Sequence, residues 1–100
     1  MSDEAAIEAE IQSKGLNAPR LNPDMIDAAI VSEEYYVFPS GGRMTVCALT
    51  LRNGYIVIGE SSSVSRENFN AELGRKIARD NARNKIWALE GYLLREKLAA

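Results

Sequence analysis

The run from Ser65 to Leu98, SRENFNAELGRKIARDNARNKIWALEGYLLREKL, contains no proline and carries apolar residues at helical spacing. It predicts one long helix, with Ser65 as its N-cap. Such a helix spans on the order of 50 Å, more than a 100-residue domain needs for its own core. Phe69, Leu73, Ile77, Trp87 and Leu94 cluster on one side of it. Ala78, Ala82, Ile86, Leu89 and Leu93 cluster on another. A helix apolar on two sides has two partners. One is expected to be a sheet, the other a second copy of the chain.

The sheet is legible upstream. Glu34 to Phe38 turns aromatic and β-branched, which favours a strand. Pro39-Ser40-Gly41-Gly42 reads as a turn, and Met44 to Leu51 as a second strand. Asn53-Gly54 is a strong hairpin signal and predicts a type I′ turn into a third strand, Tyr55 to Glu60. Before the sheet, Asn22-Pro23 opens a short helix expected to reach about residue 31, with Asn22 as cap and proline in the first turn. Residues 1–21 form an acidic N-terminal arm, a marginal helix or a disordered segment. Residues 22–100 are read as a single α+β domain: a three-stranded antiparallel meander, a short preceding helix and a long C-terminal helix through which the chain oligomerises.

Composition closes several routes. There is no histidine and only Cys47, so an intramolecular disulfide, a Cys/His zinc site and a histidine-based triad are excluded. Cys47 falls mid-strand and reads as packing. A net charge of -2 argues against broad nucleic-acid binding, which needs a basic domain. No apolar run approaches the ~20 residues that span a bilayer, and the acidic start lacks a signal-peptide pattern. The expected location is the cytoplasm. No cofactor, metal site or catalytic group is expected.

What remains is a row of arginines. Arg75, Arg79 and Arg83 recur every four residues and share one stripe of the long helix. Arginine offers planar, permanently charged donors that match phosphate oxygens. The competing reading is a solvated face paired with Asp80, Glu72 and Glu90. Asp80, Asn81 and Asn84 read as a structural hydrogen-bond network or as ligand-reading groups. The aromatics of the strands are core residues or stacking surfaces for a base. The serines before the helix mark an N-terminus whose backbone amides can bind phosphate, but without a glycine-rich or lysine-containing loop ordinary capping is the default reading.

The segments TVCALTLRNGYIVIGES and ENFNAELGRKIARDNARNKIWALEGYLL, preceded by VSEEYYVFP, resemble a family of small phage and prophage proteins named after two podophage gene products. The resemblance covers roughly residues 23–98. Many family members carry proline where this chain has Ala88, so a kink there is expected to be lost. The chain is also similar to the phage anti-defence sponges that counter Thoeris immunity. That similarity implies a homo-oligomer that holds a cyclic ADP-ribose isomer without cleaving it. It further implies that Arg79 and Arg83 clamp phosphate with Arg75 beside them, that Tyr55 or Phe38 stacks on the adenine, and that Ser65 and Asn68 sit at the pocket's edge. The alternative is a small phage protein that modulates a host protein by direct contact, with no small ligand.

Overall fold

The computed structural model describes residues 3–100. Met1 and Ser2, the first residues of the expected N-terminal arm, lie outside the described residues. The elements run α1 (Glu4–Ser13), α2 (Pro23–Ala28), β1 (Ile30–Phe38), β2 (Met44–Leu51), β3 (Ile56–Ser62), a 3-10 turn (Arg66–Asn68) and α3 (Ala71–Ala99). The strands form one antiparallel meander in the order β1-β2-β3, and α3 lies across one face of it.

The alternation of β2 sorts its two faces. Thr45, Cys47, Leu49 and Leu51 point to α3 and are buried; the residues between them are less covered. Across from them α3 presents Ala78, Ala82 and Ile86, all fully buried. The small side chains at 78 and 82 let the helix backbone come down onto β3 at Gly59. A Cβ at that position would lie 2.2 Å from the Ala82 nitrogen and 2.3 Å from the Ala78 oxygen. Only glycine fits such an approach. Ile26 and Ala29, from and just after α2, close one end of the core.

Several local readings need correction. The long helix starts at Ala71, not at Ser65, because the Asn70 side chain accepts the Leu73 N–H at 2.8 Å and takes the capping role. Ser65 instead precedes the 3-10 turn and makes no side-chain cap. The helix does run unbroken through Ala88 to Ala99. The second helix has its Asn22 cap and its proline as expected, but ends at Ala28, since Ile30 already pairs with Leu51. The first strand accordingly begins four residues earlier than expected.

The Asn53-Gly54 hairpin forms, but not as a type I′ turn. Gly54 has φ 89° and Asn53 does not enter the left-handed region. Gly54 N–H donates to Leu51 O and Leu51 N–H to Tyr55 O, both at 2.8 Å. This is a three-residue loop with glycine in the left-handed position, the next most favoured way to match strand twist. The Asn53 side chain is used elsewhere, accepting the Tyr55 N–H at 3.0 Å.

Candidate functional site

The arginine stripe is bound to acids from distant parts of the chain. Arg79 Nε donates to Glu33 on β1 at 2.8 Å. Arg83 Nε donates to Asp27 on α2 at 2.7 Å, and its Nη1 to Glu4 on α1 at 2.6 Å. Arg83 also reaches the Pro23 carbonyl oxygen. The expected partners Asp80, Glu72 and Glu90 do not take these roles; Glu90 instead accepts from Arg52. The reason is geometric. α3 lies across the sheet so that positions 79 and 83 overhang β1 and α2, and the nearest carboxylates are there. Hydrogen bonds from Arg83 and Trp87 hold the Glu4 carboxyl below its ordinary range, and Arg79 does the same for Glu33. Arg75 is exposed and has no carboxylate partner among the described residues.

The expected site residues do not share one pocket. Tyr55 follows the β2–β3 turn and lines a recess of about 200 Å³ with Leu51, Leu89, Tyr92 and Leu93. Phe38 pairs with Met44 at the other end of the sheet. The six residue steps from Thr50 to Met44 put these ends about 20 Å apart. Phe38 lies on the face away from α3, edge-on to Tyr36 at 4.8 Å.

At the β1–β2 turn end a second arrangement assembles, and its walls include Asn68 but not Ser65. A cavity of about 100 Å³ opens between the end of the β2–β3 pair and the first turns of α3. Arg43, Ser62, Ser63, Asn68, Phe69 and Gly74 are among its walls, and none of its lining residues is acidic. Arg43 adopts φ 64°, unusual for a side chain other than glycine. That turn sets its guanidinium over the Phe69 ring, 5.6 Å from the centroid. Among the described residues no carboxylate pairs with Arg43. Thr45 lies in the wall with its hydroxyl oxygen buried and without a hydrogen-bond partner. The N-terminus of α3 adds its partial positive charge. Leu73 and Ile77, both exposed, continue the wall as an apolar shelf.

Sequence reasoning missed Arg43 because it stands alone in a turn. The Gly41-Gly42-Arg43 turn was the available signal: the left-handed φ it imposes aims the side chain inward.

Of the polar residues on the helix, Asn81 donates to the Glu60 carbonyl oxygen at 2.8 Å and ties α3 to β3. Asp80 keeps one buried oxygen unpartnered, and Asn84 lines a groove with Glu4 and Trp87. Cys47 is fully buried, as its position implied.

Fold and site define a small two-layer α+β protein with a compact, cationic cavity at one end of its sheet. A family model matches residues 21–98, and the chain belongs to the phage protein (N4 Gp49/phage Sf6 gene 66) family. Neither the curated proteins nor the solved structures contain a match to it. Among the described residues, no helix is long and apolar enough to cross a membrane.

Proposed function

We propose that this phage protein binds a nucleotide-derived immune signal, of the cyclic ADP-ribose type, and sequesters it without cleavage. The observation that carries this reading is Arg43. It is held over Phe69 at the mouth of a cavity with no acidic wall, while Arg79 and Arg83 are already engaged by carboxylates. The cavity suits a phosphoryl group and not a whole nucleotide. The phosphate goes to Arg43, Asn68 and the α3 N-terminus, and the base lies outside, along Leu73 and Ile77. Arg79 and Arg83 then brace the helix that carries half of the site.

A thermal-shift series with cyclic ADP-ribose isomers, ADP-ribose, NAD and cyclic di- and trinucleotides tests this. One cyclic nucleotide should raise Tm by several degrees through linkage and be recovered intact after the protein is denatured. Arg43→Ala should abolish the shift while the unliganded Tm stays near wild type. No shift with any of these compounds would sink the reading and leave direct contact with a host protein as the better account.

A further inference from the structure

The sheet has a second face, and nothing among the described residues covers it. Tyr36 and Phe38 on β1, Val46 and Ala48 on β2, and Ile56 and Ile58 on β3 all point away from α3. Tyr36 is 58% exposed, Ile56 52% and Ile58 43%. An antiparallel sheet can leave one face in water, but that face is then normally polar. Here it is apolar through the middle, with Glu34 and Glu60 as its only charges. The molecule is accordingly thin, with extents of 48 × 30 × 17 Å. Its radius of gyration is 16.2 Å, against about 13 Å for a compact domain of this length.

The exposed area of the whole chain points the same way. The chain presents 6984 Å² to solvent. A compact monomer of this mass presents about 5,600 Å². The excess is larger than the roughly 800 Å² that each partner contributes to a standard interface.

We infer that this outer face is where a second copy of the chain docks, sheet against sheet. The pattern of the face is self-complementary. Tyr36, Val46 and Glu60 stand side by side in register, and so do Glu34, Ala48 and Ile58. Turned about an axis along β2, Tyr36 of one copy falls over the partner's Glu60. Turned about an axis across the strands, it falls over the partner's Glu34. Either way a phenol hydroxyl meets a carboxylate twice, no acid meets an acid, and the apolar centre closes on itself as in a β-sandwich. This moves self-association away from the long helix. There, Trp87 and Leu89 pack against the protomer's own core and Leu94 lines a groove against Leu21 and Met25.

Light scattering on the size-fractionated 100-residue chain at about 10 µM tests the assignment. The wild type should have a mass of at least two chains. Val46→Glu with Ile58→Glu should weaken self-association roughly 100-fold or more and lower the mass at least to half, since the carboxylate placed at position 58 falls over the partner's Glu34 or the partner's Glu60 in either arrangement and the one at position 46 is buried beside Glu60. Leu93→Glu, on the exposed side of α3, should leave the mass unchanged. Far-UV circular dichroism must show the Val46/Ile58 variant folded. Independently of that variant, Ala48→Cys at the centre of the face should be joined into a covalent dimer by a bis-maleimide that spans about 10 Å, the separation of packed sheets. A single-chain wild type, a mass indifferent to the two new glutamates, or dissociation by Leu93→Glu would each overturn the inference.

Discussion

Arg83 and Arg43 are both half-buried arginines beside an aromatic residue, and they are held in opposite ways. Arg83 is saturated: Glu4, Asp27 and the Pro23 carbonyl take its donors, and Trp87 shares the same Glu4 carboxylate at 3.0 Å. Arg43 touches the face of a ring, borders a cavity without an acidic wall, and keeps its donors available. A guanidinium surrounded by carboxylates joins elements together. One held by a π-face, with no counter-ion, is ready for an anion from outside. The difference lies in what the chain has placed around each cation, and charge alone does not reveal it.

The largest effect should come from Arg83→Ala. It strands Glu4 and Asp27 and loosens α1 from α3, while Ile26 keeps α2 in the core. A loss of about 2–3 kcal/mol is expected, seen as a lower denaturant midpoint. If Arg83 were instead a phosphate clamp, nucleotide affinity would fall further than stability explains.

Acidification strikes the same ties more gently. Glu4, Glu8 and Glu33 are depressed by their arginine hydrogen bonds, Glu8 to about 2. A carboxylate depressed in the folded state contributes stability above its unfolded pKa and loses it as pH falls through the folded value. The arm should therefore hold above about pH 4.5 and let go progressively between there and pH 2. Trp87 is the only tryptophan and donates to Glu4. Its fluorescence should shift in that window before far-UV circular dichroism changes. A shift centred at or above pH 5 would show that these ion pairs do not hold the arm.

Arg43→Ala should do the reverse of Arg83→Ala. Stability should change by only about 0.5 kcal/mol, the range of a substitution that breaks no buried network. Affinity for the nucleotide found in the thermal-shift series should fall at least tenfold, equivalent to about 1.4 kcal/mol. Loss of stability without loss of binding would assign Arg43 to the fold.

The sequence disclosed one half of this comparison. The long helix was legible because its apolar stripes keep a 3.6-residue period over many turns. The meander was legible from the aromatic strand and the Asn53-Gly54 turn. The helix start was misplaced because Ser65 and Asn70 are both good caps, and only the Asn70–Leu73 bond decides between them. The arginine row was visible, but its partners were not. Glu4 lies 79 residues from Arg83 and Glu33 lies 46 from Arg79, so only the packed fold brings them together. The separation of Tyr55 from Phe38 was already implied by the hairpin: pairing counted back from the turn puts them at opposite ends of the sheet.

Arg75 is the member of the row that sharpens the comparison most finely. It shares the spacing of Arg79 and Arg83 but is exposed and lacks a carboxylate partner among the described residues. If the acids around its two neighbours explain their role, Arg75→Ala should change stability by no more than about 0.5 kcal/mol. Nucleotide affinity should then also stay within about twofold, because its side chain is not among the walls of the Arg43 cavity. A tenfold loss of affinity at Arg75 with stability unchanged would restore the stripe as the ligand-binding surface. It would also demote the Arg43 cavity if Arg43→Ala left the affinity unchanged. Titration calorimetry on the two variants, Arg75→Ala and Arg43→Ala, with the same nucleotide therefore decides which arginine meets the ligand.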